Sequence, residues 1–312
     1  MNVPMKPTRD GFGEALVEIG ARNEKLVVIG CDISDSVRTL WFAEKFPDRF
    51  FSVGIAEQNA ACVAGGLALA GYIPVFSTYG VFASGRAFDQ IRTSIAYAKL
   101  NVKICGAHGG ISVGPDGATH QALEEIAAMR VLPNMVVIAP CDSNQTKKAT
   151  EFAIEKLDGP VYIRTGRAPV PLFTDLSEEF TFGKASVRRE GNDLAIIACG
   201  GMVWEAMQAS EILEKDGIKV RVLDLATIKP IDKEAIISAA KECGRIMTVE
   251  EHQIAGGMGS AVAEVVVQYC PVPIKFIGIH DRFGESGEPD ELQKLFGLTG
   301  AQIAETAREF LK

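Results

Sequence analysis

The sequence predicts an α/β fold made of two doubly wound, mostly parallel sheets that follow one another along the chain. Three observations predict it. Short β-branched runs alternate with helical periodicity from end to end, the pattern of stacked strand–helix units. The 312 residues leave room for two domains at the usual size of roughly 150 residues each. A stretch rich in Pro, Thr and Phe, from Gly166 to Gly183, has neither period and divides the two series.

In the first series, strands are expected at 26–29, 73–76, 102–105, 135–139 and 161–164. Helical periodicity falls between them at 10–23, 57–70, 84–98, 121–130 and 143–157. In the second series, strands are expected at 194–198, 219–223, 246–249 and 274–279. Helices are expected there at 202–215, 232–242, 258–268, 289–296 and 300–311. The implied organisation is a first domain over 1–166, a linker over 167–185 and a second domain over 186–312.

Composition narrows the function. Hydrophobic residues make up 47% and charged residues 23%, enough apolar material for two cores. A net charge of -8 opposes general binding to nucleic acid or anionic membranes, since neither polyanion is attracted at long range. The cysteines at 31, 62, 105, 141, 199, 243 and 270 include no CxxC pair, and most sit in apolar surroundings. They read as buried thiols in a reducing compartment, and not as a disulfide framework or zinc site. Residues 1–10 lack an apolar signal core, and no apolar run approaches the ~20 residues a membrane span needs. A cytoplasmic protein is expected.

The segment Ala107-His108-Gly109-Gly110-Ile111-Ser112-Val113-Gly114-Pro115-Asp116-Gly117-Ala118-Thr119-His120-Gln121 reads as a site. It follows an expected parallel strand, and open α/β sheets bind ligands at the carboxyl ends of such strands. Two of the chain's four histidines lie here, with one Asp and a set of glycines that let backbone approach a ligand. His and Asp can bond a polar substrate and move protons. Alone, the stretch is better explained by a solvated loop that satisfies its own backbone. A metal site is disfavoured, because no third ligand stands at a sensible spacing and HExxH is absent.

Two further segments carry chemistry. Gly54-Ile55-Ala56-Glu57-Gln58-Asn59-Ala60-Ala61 places Glu57 in the first turn of a helix that is otherwise almost wholly apolar. The helix dipole alone favours a carboxylate there. A helix apolar on all sides is buried, however, which would bury Glu57 as well and make it a candidate proton donor. Ser77-Thr78-Tyr79-Gly80-Val81-Phe82 follows an expected strand, and its aromatics can stack on a flat heterocycle or simply fill the core. In the second domain, Ala255-Gly256-Gly257-Met258-Gly259 precedes a helix, but a lone glycine pattern is weak evidence for a nucleotide. Glu250-Glu251-His252 reads as a solvated strand end rather than a ligand cluster.

Taken in order, these segments resemble the transketolase family over its pyrimidine-binding and C-terminal domains. The resemblance also rests on Pro7-Thr8-Arg9, Gly30-Cys31-Asp32-Ile33-Ser34-Asp35-Ser36, Val161-Tyr162-Ile163-Arg164 and Asp281-Arg282-Phe283-Gly284-Glu285-Ser286-Gly287-Glu288-Pro289. It implies a thiamine-diphosphate enzyme that moves a two-carbon ketol unit from a ketose phosphate to an aldose phosphate. Glu57 would share a proton with the cofactor's aminopyrimidine ring, and Phe82 and Tyr79 would pack on that ring. Asp32 would lie on the thiazolium side. Asp116 and His120 would bond the donor's hydroxyls beside the scissile bond. Arg9, Ser36, His108 and Arg164 would grip the sugar's phosphate, for which the arginines offer charge-assisted bonds.

Departures from the family pattern stand at Gln58, Ser112 and Gly85, where many members carry His, Gly and an aromatic. A larger departure is the missing Gly-Asp-Gly…Asn signature that holds the diphosphate through Mg²⁺ or Ca²⁺. Pro115-Asp116-Gly117 and Lys215-Asp216-Gly217 lack its first Gly. The resemblance therefore implies a separate N-terminal subunit holding cofactor diphosphate and metal, in an α2β2 assembly with self-association through this chain. Other readings are a deoxyxylulose-phosphate synthase-like half, a 2-oxoacid dehydrogenase β subunit, a non-catalytic scaffold of the same fold, or a nucleotide-binding module. His108 favours transketolase over the synthase, which typically carries Asp there.

Overall fold

The computed structural model describes residues 3–312, so the first two residues of the expected first domain lie outside the described residues. In chain order the strands are β1 (Met5–Pro7), β2 (Leu26–Gly30), β3 (Phe50–Ser52), β4 (Ile73–Tyr79), β5 (Lys103–Ala107), β6 (Val136–Ile138) and β7 (Val161–Arg164). They continue as β8 (Pro169–Pro171), β9 (Ser186–Arg189), β10 (Leu194–Ala198), β11 (Val220–Asp224), β12 (Thr227–Lys229), β13 (Ile246–Gln253) and β14 (Ile274–Ile279).

Two parallel-dominated sheets with helices on their faces result, as the alternation of strands and helices predicts. The larger has the order β12-β6-β7-β5-β4-β2-β3 and the smaller β14-β13-β10-β11-β9. Every residue of β2, β5 and β10 is buried, as strands covered on both faces require. The helices Thr8–Arg22 and Ser143–Lys156 pack together against the larger sheet. Glycine is required at their crossing, because a methyl on Gly11 would collide with the Ser143 carbonyl oxygen.

The short edge strands depart from expectation. The second half of the chain donates β12 to the first sheet, antiparallel to β6. Likewise β9 runs antiparallel along β11, and β1 pairs with β8 inside the stretch expected as linker. That stretch is also tied down by buried Asp142, which caps the helix Ser143–Lys156. Asp142 accepts from the Thr174 amide at 2.8 Å and its hydroxyl at 2.7 Å. Strands of three or four residues have too few alternations to show a period.

Two helices are also shorter than expected. The expected helix at 84–98 is broken into π-helical turns at Phe82–Arg86 and Ile91–Ala96. Ser84 and Thr93 donate back to the carbonyls of Gly80 and Asp89, a habit that bends helices. The expected helix at 121–130 begins only at Glu125, because the Gly110 amide donates to the Ala122 carbonyl and holds that segment extended.

The glycine segment at 255–259 has a structural explanation. At the start of the helix Met258–Tyr269, the amides of Met258 and Gly259 donate to Glu250 at 2.6 and 2.8 Å. The chain's own carboxylate fills the position a nucleotide phosphate would take. Glu250, Glu251 and His252 are buried, not solvated, because Glu250 lies under the helix Met258–Tyr269, Glu251 meets the Ser112 amide and His252 lies 3.4 Å from the Ala127 amide. Cys62 corrects the expectation of buried thiols, since it is exposed. Among the described residues, no helix is long and apolar enough to cross a membrane.

At the amino end of β5, Lys103 is buried with all three ammonium donors satisfied. They go to Asn101 Oδ1 at 2.6 Å and to the Leu157 and Gly159 carbonyls at 2.9 Å each. Lys103→Met strands those acceptors and is expected to lower stability by about 3 kcal/mol in urea unfolding.

Candidate functional site

Parallel register decides what meets at the carboxyl edge of the larger sheet. Tyr79 at the end of β4 pairs with Ala107 at the end of β5, and Gly106 pairs with Arg164 at the end of β7. Gly30, closing β2, pairs with Ser77 and Ser52 on its two sides. The residues just past these ends therefore share one crevice.

Glu57 opens the helix Glu57–Leu69 after β3 and is only 2% exposed. Arg86 donates to its Oε2 at 2.8 Å, and the Thr78 hydroxyl stands 3.4 Å from Oε1. The Arg86 guanidinium lies 4.6 Å over the Phe82 ring, so one cation spans the carboxylate and the aromatic wall. Cys31 sits close by, its thiol pushed up to about 12 by burial first and then by the Glu57 charge. Asp32 follows it, exposed and at a φ of 65°, in the left-handed region that Asp tolerates. Sequence reasoning missed Arg86; its signal was a cation four residues beyond the pocket aromatic.

A second cluster adjoins the first. The Tyr79 ring lies 4.2 Å from the His108 ring, and its hydroxyl donates to Ser36 Oγ at 3.1 Å. His108 Nε2 is 3.2 Å from the same Oγ and 3.5 Å from Arg9 Nη1. A guanidinium can only donate, so Nε2 acts as acceptor there and the neutral ring carries its proton on Nδ1. His108 is fully buried, and its pKa falls to about 3, through burial first and then the charges of Arg9 and Arg167. His108 Nδ1 and Arg9 Nε are buried without a protein partner.

His120 completes the wall, edge-on to Phe82 at 5.4 Å and to Tyr79 at 5.8 Å, with Nδ1 2.9 Å from the Thr119 hydroxyl. Asp116 lies 3.5 Å from Arg167, which also donates to the Val113 carbonyl at 2.6 Å. Arg167 is a second residue the sequence reading missed, three residues beyond Arg164. Arg164, expected at the phosphate, is not part of the crevice. It is buried under the loop, where its Nε donates to Glu125 and its Nη2 to the Glu251 carbonyl at 2.7 Å. Strand alternation turns it to the interface between domains.

The crevice thus offers a buried carboxylate beside an aromatic ring, suited to a flat nitrogen heterocycle. Alongside lies a corner of His, Asp and arginines suited to a polyol with an anionic end. Among the described residues, no group of three or more His, Cys, Asp or Glu is placed to hold a metal. The helix behind Glu57 also departs from expectation, being buried on one face only. Cys62, Gly66 and Leu69 are exposed along the other, Leu69 at 76%, with Ile55 at 71% and Tyr97 at 85% nearby. Its small apolar side chains find cover within this chain on a single side.

The chain is similar to known proteins along nearly its whole length. The family model for the transketolase pyrimidine-binding domain matches residues 5–171, and that for the transketolase C-terminal domain matches residues 183–303. A protein of Methanocaldococcus jannaschii described as a transketolase C-terminal section is 48% identical over 98% of this chain and 97% of its own length. A 6-deoxy-6-sulfo-D-fructose transketolase subunit from a Clostridium species is 41% identical over 96% of this chain and 93% of its own. The 1-deoxy-D-xylulose-5-phosphate synthase of Thermomicrobium roseum is 38% identical, with the chain spanning 49% of its length. Among solved structures, a split-gene transketolase described as an inactive β4 tetramer superposes with a TM-score of 0.91 at 47% identity, covering 98% of both chains.

A pH dependence follows from His108. Its folded pKa lies below its unfolded one, so the unfolded chain takes up a proton first as the medium is acidified, and stability falls from about pH 6.5 toward pH 3. His108→Asn is expected to flatten that fall by up to about 1.4 kcal/mol per pH unit, read from urea midpoints at pH 4.5 and 6.5.

Proposed function

The chain belongs to the transketolase family, and from that premise we propose that it is the ring- and sugar-binding half of a split thiamine-diphosphate transketolase. The observation that carries this reading is Glu57, a carboxylate buried at a helix start, an arginine's width from Phe82. Such a pair suits an aminopyrimidine, with the carboxylate on a ring nitrogen and the aromatic on its face. Thiamine diphosphate, when bound, supplies a carbon nucleophile able to carry a two-carbon unit between sugars.

Residues of this chain then have separable tasks. Glu57 holds or releases a proton at the ring nitrogen, in a site dry enough for that charge to matter. Phe82 and Tyr79 orient the ring, and Asp32 lies on the thiazolium side. Asp116 and His120 bond the hydroxyls of a ketose phosphate next to the bond that breaks. Arg9, Arg167, Ser36 and neutral His108 take the phosphate, and binding energy from that remote end positions the reacting carbonyl. Arg167 replaces Arg164 in this role, because Arg164 is committed to Glu125 and Glu251.

The diphosphate and its Mg²⁺ or Ca²⁺ are assigned to a separate N-terminal subunit, since this sequence has no counterpart of the family's Gly-Asp-Gly…Asn ligands. The bare apolar face of the helix Glu57–Leu69 is the surface such a partner, or a second copy of the chain, would cover. The inactive β4 tetramer of the split relative supports self-association of this chain and its inactivity alone. The working form we propose is α2β2, in the cytoplasm. Pentose phosphates are the proposed substrates.

The test is reconstitution with the N-terminal polypeptide. Ketol transfer between pentose phosphates is expected from the pair and not from this chain alone. CO₂ release from pyruvate would instead indicate the synthase. Glu57→Ala is expected to cut turnover of the pair at least about 100-fold. Its urea midpoint should move little, because Arg86, 43% exposed, can turn to water. Unchanged turnover would remove Glu57 from the chemistry.

A further inference from the structure

We propose that Glu251, from the second domain, is a positioning residue that holds the loop carrying Asp116 and His120 in its working shape; this rests on the transketolase reading above. The loop has little regular structure of its own. His108, Gly110, Gly114 and Gly117 all have positive φ, at 60°, 90°, 84° and 73°, and the only helical turn among them is Ile111–Val113. Its shape must come from anchors.

Glu251 is the central one. Its Oε1 accepts from the Ser112 amide at 2.5 Å and its Oε2 from the Ser112 hydroxyl at 3.2 Å. The carboxyl group lies so close under Gly110 that a methyl there would collide with it. Arg164 holds the Glu251 backbone carbonyl and packs under Gly109, where a methyl would come within 2.5 Å of its Nε. The rest of the second domain supports the same loop. Gln121 donates to the Glu285 carbonyl at 2.8 Å, and Ser286 Oγ lies 2.5 Å from where a methyl on Gly117 would sit.

Glu251 touches none of the groups assigned to substrate or cofactor. It acts through the turn at 111–113, three residues before Asp116. Ser112, where many family members carry Gly, gives this chain a hydroxyl that completes the two-point clamp. The second domain thereby gains a task in turnover besides assembly.

Two near-isosteric variants test this in the reconstituted pair. Glu251→Gln turns one acceptor into a donor, and Ser112→Ala removes the hydroxyl bond alone. With Asp116 and His120 displaced but Glu57 and Phe82 untouched, kcat should fall about tenfold for Glu251→Gln and about threefold for Ser112→Ala. Thiamine diphosphate affinity, read by tryptophan quenching, should change less than about twofold. The double variant should match Glu251→Gln alone, since both break one clamp. Additive effects, or equal loss of cofactor affinity, would overturn the proposal. Hydrogen exchange separates this failure from failure of the functional reading, because it needs no turnover. Amides at 112–121 should exchange at least about tenfold faster in Glu251→Gln while those of β10 and β11 do not. Unchanged exchange in the loop would also overturn it.

Discussion

Val75 to Tyr79 pair in parallel with Lys103 to Ala107, and Lys103 to Gly106 pair in turn with Val161 to Arg164. This register is the constraint everything else depends on. It brings Tyr79, His108 and Arg167 past the same edge of the sheet, and a slip of one residue would turn every one of these side chains to the opposite face. Lys103 helps to fix the register at the amino end of β5, because its buried ammonium is held by the Leu157 and Gly159 carbonyls just before β7.

Onto this edge the chain sets two environments of different polarity. Around Glu57 the surroundings are closed, with Cys31 close by and a single arginine between the carboxylate and the Phe82 ring. Around His108 they are cationic, and its imidazole is held neutral by burial first and then by the charges of Arg9 and Arg167. One end suits proton exchange with a heterocycle and the other suits an anion. The aromatic rings of Tyr79 and Phe82, 5.9 Å apart, join the two ends into one surface.

Much of this was legible in the sequence because its signals are local. Long strands and helices declare their period, and Glu57, Phe82, His108 and His120 sit in short, ordered motifs. What escaped was set by distant partners. Arg164 and Arg167 stand three residues apart on one strand end, and only strand alternation together with Glu125 and Glu251 decides which one faces the crevice. Glu250 and Glu251 read as a solvated strand end because the loop and helix that bury them lie far away in sequence. The bare face of the helix Glu57–Leu69 could not be read either, since composition shows only that the helix is apolar, not whose surface covers it.

The strand β12 has a consequence for how the molecule can be made. Residues Thr227–Lys229 close the β6 side of the larger sheet, yet they leave the ribosome well after the rest of that sheet. Until then a nascent chain carries β6 with one row of backbone groups unpaired, an invitation to pair with the wrong strand. A fragment ending near residue 185 would keep that defect permanently. Cutting this protein at the boundary suggested by its composition would therefore not release a finished first half.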